Sequence, residues 1–122
     1  MYELTVESHF DSAHCLEGYQ GVCAQFHGHT WHVSVTVGAT TLDELGISVD
    51  FKKIRSALDD ITSKFDHQVL NKLDMFKDKN PTAENIAQTI YDEIATRIDE
   101  HDAQVLSVSI VEGESNRLTY RP

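Results

Sequence analysis

Ile47-Ser48-Val49-Asp50-Phe51-Lys52-Lys53-Ile54-Arg55-Ser56-Ala57-Leu58 is the stretch in which the chain changes its period. Up to Val49 the apolar residues alternate, as in a half-buried strand that continues a sheet. Beyond Asp50, Phe51, Ile54, Leu58, Ile61 and Phe65 follow at spacings of 3, 4, 3 and 4, which is one stripe of a helix. Asp50 stands where an N-cap is needed, because its carboxylate can accept an amide hydrogen freed in the first turn. Lys52, Lys53, Arg55, Asp59 and Asp60 fall between the apolar positions and read as a solvated face.

Upstream of this switch the pattern is that of strands. Tyr2, Leu4, Val6 and Phe10 alternate with Glu3, Thr5, Glu7 and His9, which predicts a strand over residues 2–10 with His9 on the solvated face. Residues 11–26 have no period and contain Gly18 and Gly21, so a long loop is expected there. From about Phe26 to Ala39, Val33, Val35 and Val37 share one face, and Ser34 and Thr36 the other. Trp31 falls on the face of His27 and His29, with His32 opposite. Asp43-Glu44-Leu45-Gly46 is turn-like.

Downstream, residues 66–81 are irregular, and Asn80-Pro81-Thr82 carries the start signals of a second helix. Ile86, Ile90, Ile94 and Ile98 form its stripe, and His101 is expected at its C-terminal end, where a positive charge is favourable. Val105, Val108 and Ile110 mark a third strand. Arg117 to Arg121 can close the sheet after a turn at Gly113-Glu114-Ser115-Asn116. The order ββααββ predicts a single α+β domain spanning residues 1–122, with a four-stranded antiparallel sheet and two helices on one face. The uncovered face and the sheet edges predict self-association.

The 122 residues suffice for a core without disulfides or structural metal. Ten Lys and Arg against 20 Asp and Glu give a formal charge of −10, which argues against nonspecific binding to nucleic acid or anionic membranes. Met1-Tyr2-Glu3-Leu4-Thr5 has neither a basic nor an apolar leader segment, and no run of apolar residues is long enough to span a bilayer. A cytoplasmic protein is therefore expected. In that reducing compartment Cys15 and Cys23 read as thiols, ligands or a nucleophile rather than a bridge.

The chemistry gathers in Cys23-Ala24-Gln25-Phe26-His27-Gly28-His29. Histidines at i and i+2 of a strand project from one face, and the glycine between them leaves room for close approach. Imidazoles suit zinc, and a catalytic zinc site takes three protein ligands and keeps a fourth position open. His14 is the best-placed third ligand. Cys23 is either a fourth ligand closing the site or a free thiolate beside an open one, and Cys15, otherwise a small buried residue, offers a second way to close it. Asp66-His67 joins a carboxylate to an imidazole, a pair suited to passing protons or, more plainly, an exposed helix end. Glu112 ends an apolar strand, either as a surface residue or as an acceptor for a ligand's N–H groups.

Phe10-Asp11-Ser12-Ala13-His14, Cys23-x3-His27-Gly28-His29, Val49-Asp50-Phe51, Phe65-Asp66-His67-Gln68-Val69-Leu70-Asn71, Asn80-Pro81-Thr82-Ala83-Glu84-Asn85 and Val111-Glu112 together resemble the 6-pyruvoyltetrahydropterin and 6-carboxytetrahydropterin synthase family, in family order over nearly the whole chain. The resemblance implies the T-fold, or tunnel fold, assembled as rings. The commonest is a homohexamer of two trimers with sites at subunit interfaces. It implies Zn2+ on His14, His27 and His29, Cys23 as proton-abstracting base, and Asp66 and His67 as its relay. Glu112 is implied as pterin anchor and participant in the relay, and Thr82 and Glu84 as further substrate-binding residues.

The implied substrate is 7,8-dihydroneopterin triphosphate, handled without a redox cofactor. The three-residue gap between Cys23 and His27 resembles the carboxy branch, zinc-dependent carbon–carbon lyases of the queuosine route. Those enzymes form 6-carboxy-5,6,7,8-tetrahydropterin and release acetaldehyde and triphosphate. The alternative is a 6-pyruvoyltetrahydropterin synthase, which eliminates triphosphate without cleaving the side chain. A remoter one is a structural zinc module with a closed site. Lys52, Lys53, Arg117 and Arg121 are the candidates to offset the acidic charge near the triphosphate.

Overall fold

The computed structural model describes residues 1–18 and 25–122. Its principal elements are β1 (Tyr2–His14), β2 (His27–Ala39), α1 (Phe51–Phe65), β3 (Gln68–Val69), α2 (Ala83–Ala95), β4 (Gln104–Glu112) and β5 (Asn116–Tyr120). Two short 3-10 turns, Leu70–Lys72 and Asp74–Phe76, lie between β3 and α2. The sheet order is β3-β1-β2-β4-β5. The expected ββααββ order of an α+β fold holds for the long elements.

Three expectations need correction. The sheet has five strands and is mixed, because Gln68 and Val69 pair in parallel with Ser12 and Ala13 of β1. Two residues carry no period, and their pairing depends on His67, which turns the chain at φ 57° and donates its backbone N–H to the Asp11 carbonyl at 2.6 Å. Second, Ile47-Ser48-Val49 does not continue the sheet. Ile47 is tied into a local turn instead: the Asp43 carboxylate accepts its N–H at 2.9 Å, and its carbonyl accepts the Asp43 N–H at 2.9 Å. Third, α2 ends at Ala95, and His101 sits beyond it in a turn at φ 36°. Ile98 keeps the four-residue rhythm and remains buried although the helix has stopped.

β1 also runs further than its alternation, through His14, because each residue from Asp11 to His14 has a partner in β2, ending at His14 opposite His27. The inner face of these strands carries Val6, Phe10, Trp31, Val33, Val35 and Val37, all buried against the stripes of both helices. Tyr2 and Phe51, placed by pattern on buried faces, are 51% and 58% exposed. Both caps form as expected. The Asp50 carboxylate accepts the Lys52 N–H at 2.8 Å, and the Thr82 hydroxyl accepts the Asn85 N–H at 3.1 Å.

Trp31 and Phe10 stack at 6.0 Å between ring centroids, and Phe65 meets Phe10 edge-on at 5.3 Å. This aromatic group is wholly buried and forms the floor beneath the histidine-bearing ends of β1 and β2. No helix is long and apolar enough to cross a membrane among the described residues.

Candidate metal centre

His14, His27 and His29 meet where β1 and β2 end together. Inward projection along β2 selects His27 and His29, and the pairing of His14 with His27 brings the third ring across. Their centroids lie 4.7 to 5.4 Å apart, and the rings are steeply inclined to one another. The His14 Nδ1–H donates to the Pro81 carbonyl at 2.7 Å, and the His27 Nδ1–H donates to the Gln25 carbonyl at 2.7 Å. A carbonyl only accepts, so these bonds place the hydrogens on Nδ1 and leave Nε2 of each neutral ring as a lone pair.

Those two Nε2 atoms face each other at 3.1 Å. Lone pairs at that distance repel unless a cation lies between them. Nitrogens held tetrahedrally by zinc stand about 3.3 Å apart, so the observed spacing is already near the requirement. His29 Nε2 adds a second sign: it is buried without a hydrogen bond, although the Glu112 Oε1 lies 3.2 Å away. Burial pushes the His14 imidazole below its ordinary pKa, outweighing the raising effects of the Pro81 carbonyl and Glu112. Burial does the same to His29 against Glu112. Neutral rings with converging lone pairs fit a divalent transition metal, and the donor set could hold one.

Glu112 completes the group, with Oε1 3.5 Å from His14 Nε2, and the four ligand atoms all lie within 4.8 Å of one another. Opposite Trp31 in the β2–β4 ladder, its side chain shares the inner face with the histidines. The fourth donor among the described residues is thus a carboxylate. Cys15 is buried outside this group, and Cys23 lies outside the described residues.

Beside the metal group a cleft of about 330 Å³ is lined by His14, Thr82, Glu84, Glu112 and Arg117. Thr82, Glu84 and Glu112 therefore line one cleft. Of the four nominated cations only Arg117 reaches this cleft. Lys53 is bound to Asp99 and Glu100, and Arg121 lines a groove with Glu3 and Tyr91.

Asp66 and His67 lie on another side, in contact with each other at 2.9 Å. His67 shares a more open cleft of about 570 Å³ with His29 and Gly28. Gly28 leaves real space there, since a β-carbon at that position would come no nearer than 4.0 Å to the Ser12 carbonyl. The Asp11 amide, donating at 2.9 Å, and then His67 hold the Asp66 carboxyl below its ordinary range. Asp66 in turn raises His67. The dyad is polarised for proton transfer.

Sequence reasoning missed the positioning groups. The Asn71 side chain accepts the Cys15 N–H and donates to the Cys15 carbonyl, both at 2.9 Å. Asn80 treats Glu17 in the same way, again with two bonds of 2.9 Å. Each asparagine imitates a neighbouring strand and ties down the backbone just after His14. Both lie in segments that carried the family resemblance, which was the only available signal.

The family described as 6-pyruvoyl tetrahydropterin synthase matches residues 3–122. The chain is 30% identical over 128 residues to the 6-carboxy-5,6,7,8-tetrahydropterin synthase of Bacillus subtilis, covering 99% of this chain and 86% of that protein. It is 32% identical over 104 residues to the dihydroneopterin monophosphate aldolase of Pyrococcus furiosus, covering 85% of this chain and 83% of that one. The solved structure of Caenorhabditis elegans 6-pyruvoyl tetrahydropterin synthase superposes with a TM-score of 0.84 at 25% identity, covering 100% of this chain and 97% of that one.

Proposed function

The chain belongs to the 6-pyruvoyl tetrahydropterin synthase family, and we propose that within it residues 1–122 form one domain that converts 7,8-dihydroneopterin triphosphate to 6-carboxy-5,6,7,8-tetrahydropterin, with release of acetaldehyde and triphosphate. The observation that carries this reading is the convergence of three imidazoles beside a cleft lined by Glu112, Thr82 and Glu84. His14, His27 and His29 would hold Zn2+. Bound there, zinc supplies a Lewis acid that acidifies a neighbouring C–H of the substrate side chain.

The chain's own groups do the rest. Cys23 removes the proton, and the polarised Asp66–His67 pair accepts and returns it. Glu112, at the edge of the same cleft, would receive N–H donors of the pterin. Thr82 and Glu84 line the pterin side of the cleft, and Arg117 faces the phosphates. Asp66–His67 stands apart from Glu112, which favours a homohexamer whose sites are completed between subunits. The reaction places the protein in queuosine synthesis, in the cytoplasm.

Relatives named for the carboxy product favour that branch. The Caenorhabditis neighbour favours a second reading, a 6-pyruvoyltetrahydropterin synthase with the same residues. Zinc-loaded protein incubated with 7,8-dihydroneopterin triphosphate separates them by mass spectrometry of the pterin. Carboxytetrahydropterin with acetaldehyde is expected. The pyruvoyl product without acetaldehyde would move the chain to the second reading, and unchanged substrate would overturn both.

A further inference from the structure

We propose that His9 and His32, on the opposite face of the same two strands, form a second and independent chelating site for a divalent transition-metal cation. They are directly opposed in the β1–β2 ladder, and both are exposed. Their ring centroids lie 6.0 Å apart with the planes tilted by 42°. A cation about 2.1 Å from one nitrogen of each ring would hold the centroids about 5 Å apart. Small side-chain rotations of two solvated rings close that difference, and no backbone has to move.

The surroundings favour a cation. Glu7 and Asp11 flank His9 on the outward face of β1, and Thr30 and Ser34 flank His32 on β2. The Asp11 carboxylate is fixed by the Thr30 hydroxyl, which donates at 2.5 Å. Asp66, held down chiefly by the Asp11 amide and by His67, also feels the charge of His9, so a third carboxylate is within electrostatic reach. The formal charge of −10 adds a long-range attraction. Two imidazoles without thiolate select borderline cations such as Ni2+, Cu2+ or Zn2+ over Ca2+ and Mg2+. The pair faces away from Trp31 and the His14 group, which lie on the inward side of the sheet.

The test uses untagged protein carrying one equivalent of zinc and titrates it with Ni2+ by calorimetry, while released zinc is followed with a chromogenic chelator. One further equivalent of Ni2+ per chain without zinc release is expected. In His9→Gln and in His32→Gln its affinity should fall about tenfold or more, because each leaves a single imidazole, whereas His101→Gln should retain it. Binding unchanged in both variants, or accompanied by stoichiometric zinc release, would overturn the proposal. Electron paramagnetic resonance of substoichiometric Cu2+ on the unaltered, zinc-loaded protein checks this without a variant. Coupling to two imidazole nitrogens with zinc retained supports the pair, and absence of nitrogen coupling overturns it.

Discussion

The histidine trio and the Asp66–His67 dyad present the same side chain under opposite control. His14 and His29 are shielded by the Trp31 floor, and burial pushes their pKa values down, which favours the neutral ring that a metal site would need. His67 is 79% exposed, and its carboxylate partner pushes it up, which strengthens the ring as a proton acceptor. Desolvation disfavours the charged ring, whereas a neighbouring carboxylate favours it. One chain can therefore carry imidazoles biased toward the neutral form and an imidazole biased toward the charged form, provided that the first are dry and the second is wet.

The comparison breaks most completely at a ligand. His27→Ala removes one of the two nitrogens facing each other at 3.1 Å. Bound zinc, measured by elemental mass spectrometry, should be lost, and turnover should fall by more than the roughly 100-fold that changes to outer-shell groups produce. A full zinc complement in that variant would mean that the trio is not the metal site. Cys23→Ala comes next. It should keep zinc and lose turnover on the order of 10²- to 10⁴-fold, the range of a general base. Loss of zinc instead would make Cys23 the fourth ligand of a closed, structural site.

The dyad is sharpened by pH. The pKa of His67 is raised in the fold, so the stabilisation from its pairing is complete below its ordinary value of 6.5 and is lost as the pH rises through the raised value. The pKa of Asp66 is lowered, so its share is present above the ordinary value of 3.8 and is lost as the pH falls through the depressed one. The Tm difference between wild type and Asp66→Asn should therefore be largest between those two ordinary values and shrink on both sides. Both groups are well exposed, so the difference itself will be small. The kinetic effect is larger: the acid limb of the kcat profile, where it reports His67 as proton acceptor, should move to lower pH in Asp66→Asn. A limb that stays in place would detach His67 from Asp66.

What was legible in the sequence was whatever has a period. Alternation along β1 and β2 put His27, His29 and Trp31 on one face and His9 and His32 on the other, and the structure keeps that division. The helices and their caps at Asp50 and Thr82 were legible for the same reason, because a cap stands immediately before the first helical residue. β3 was not, since two residues have no period and their place is set by one left-handed histidine. Nor was the presence of Glu112 among the histidines, which depends on the register of β4 against β2. The Pro81 carbonyl that orients His14 lies 67 residues away in the chain, beyond any local pattern.

Those long-range ties give the smallest prediction, and the one that asks whether the dry half depends on more than burial. The Asn71 side chain makes two hydrogen bonds to the backbone of Cys15, next to His14. Asn71→Ala removes both and leaves a partly buried N–H and C=O to find water. Two such bonds contribute about 1 to 3 kcal/mol together, so the variant should remain folded with a lowered denaturation midpoint. If the clamp also fixes the end of β1, zinc affinity should fall as well, by about tenfold, the lower part of the outer-shell range. Asn71→Asp separates these roles. Its carboxylate can still accept the Cys15 N–H but cannot donate to the Cys15 carbonyl, so half of the clamp survives. Intermediate stability with intermediate zinc affinity would tie the two together, because the same strand end then governs both. Zinc affinity unchanged in both variants would mean that the ladder to β2 and the Pro81 carbonyl hold His14 by themselves.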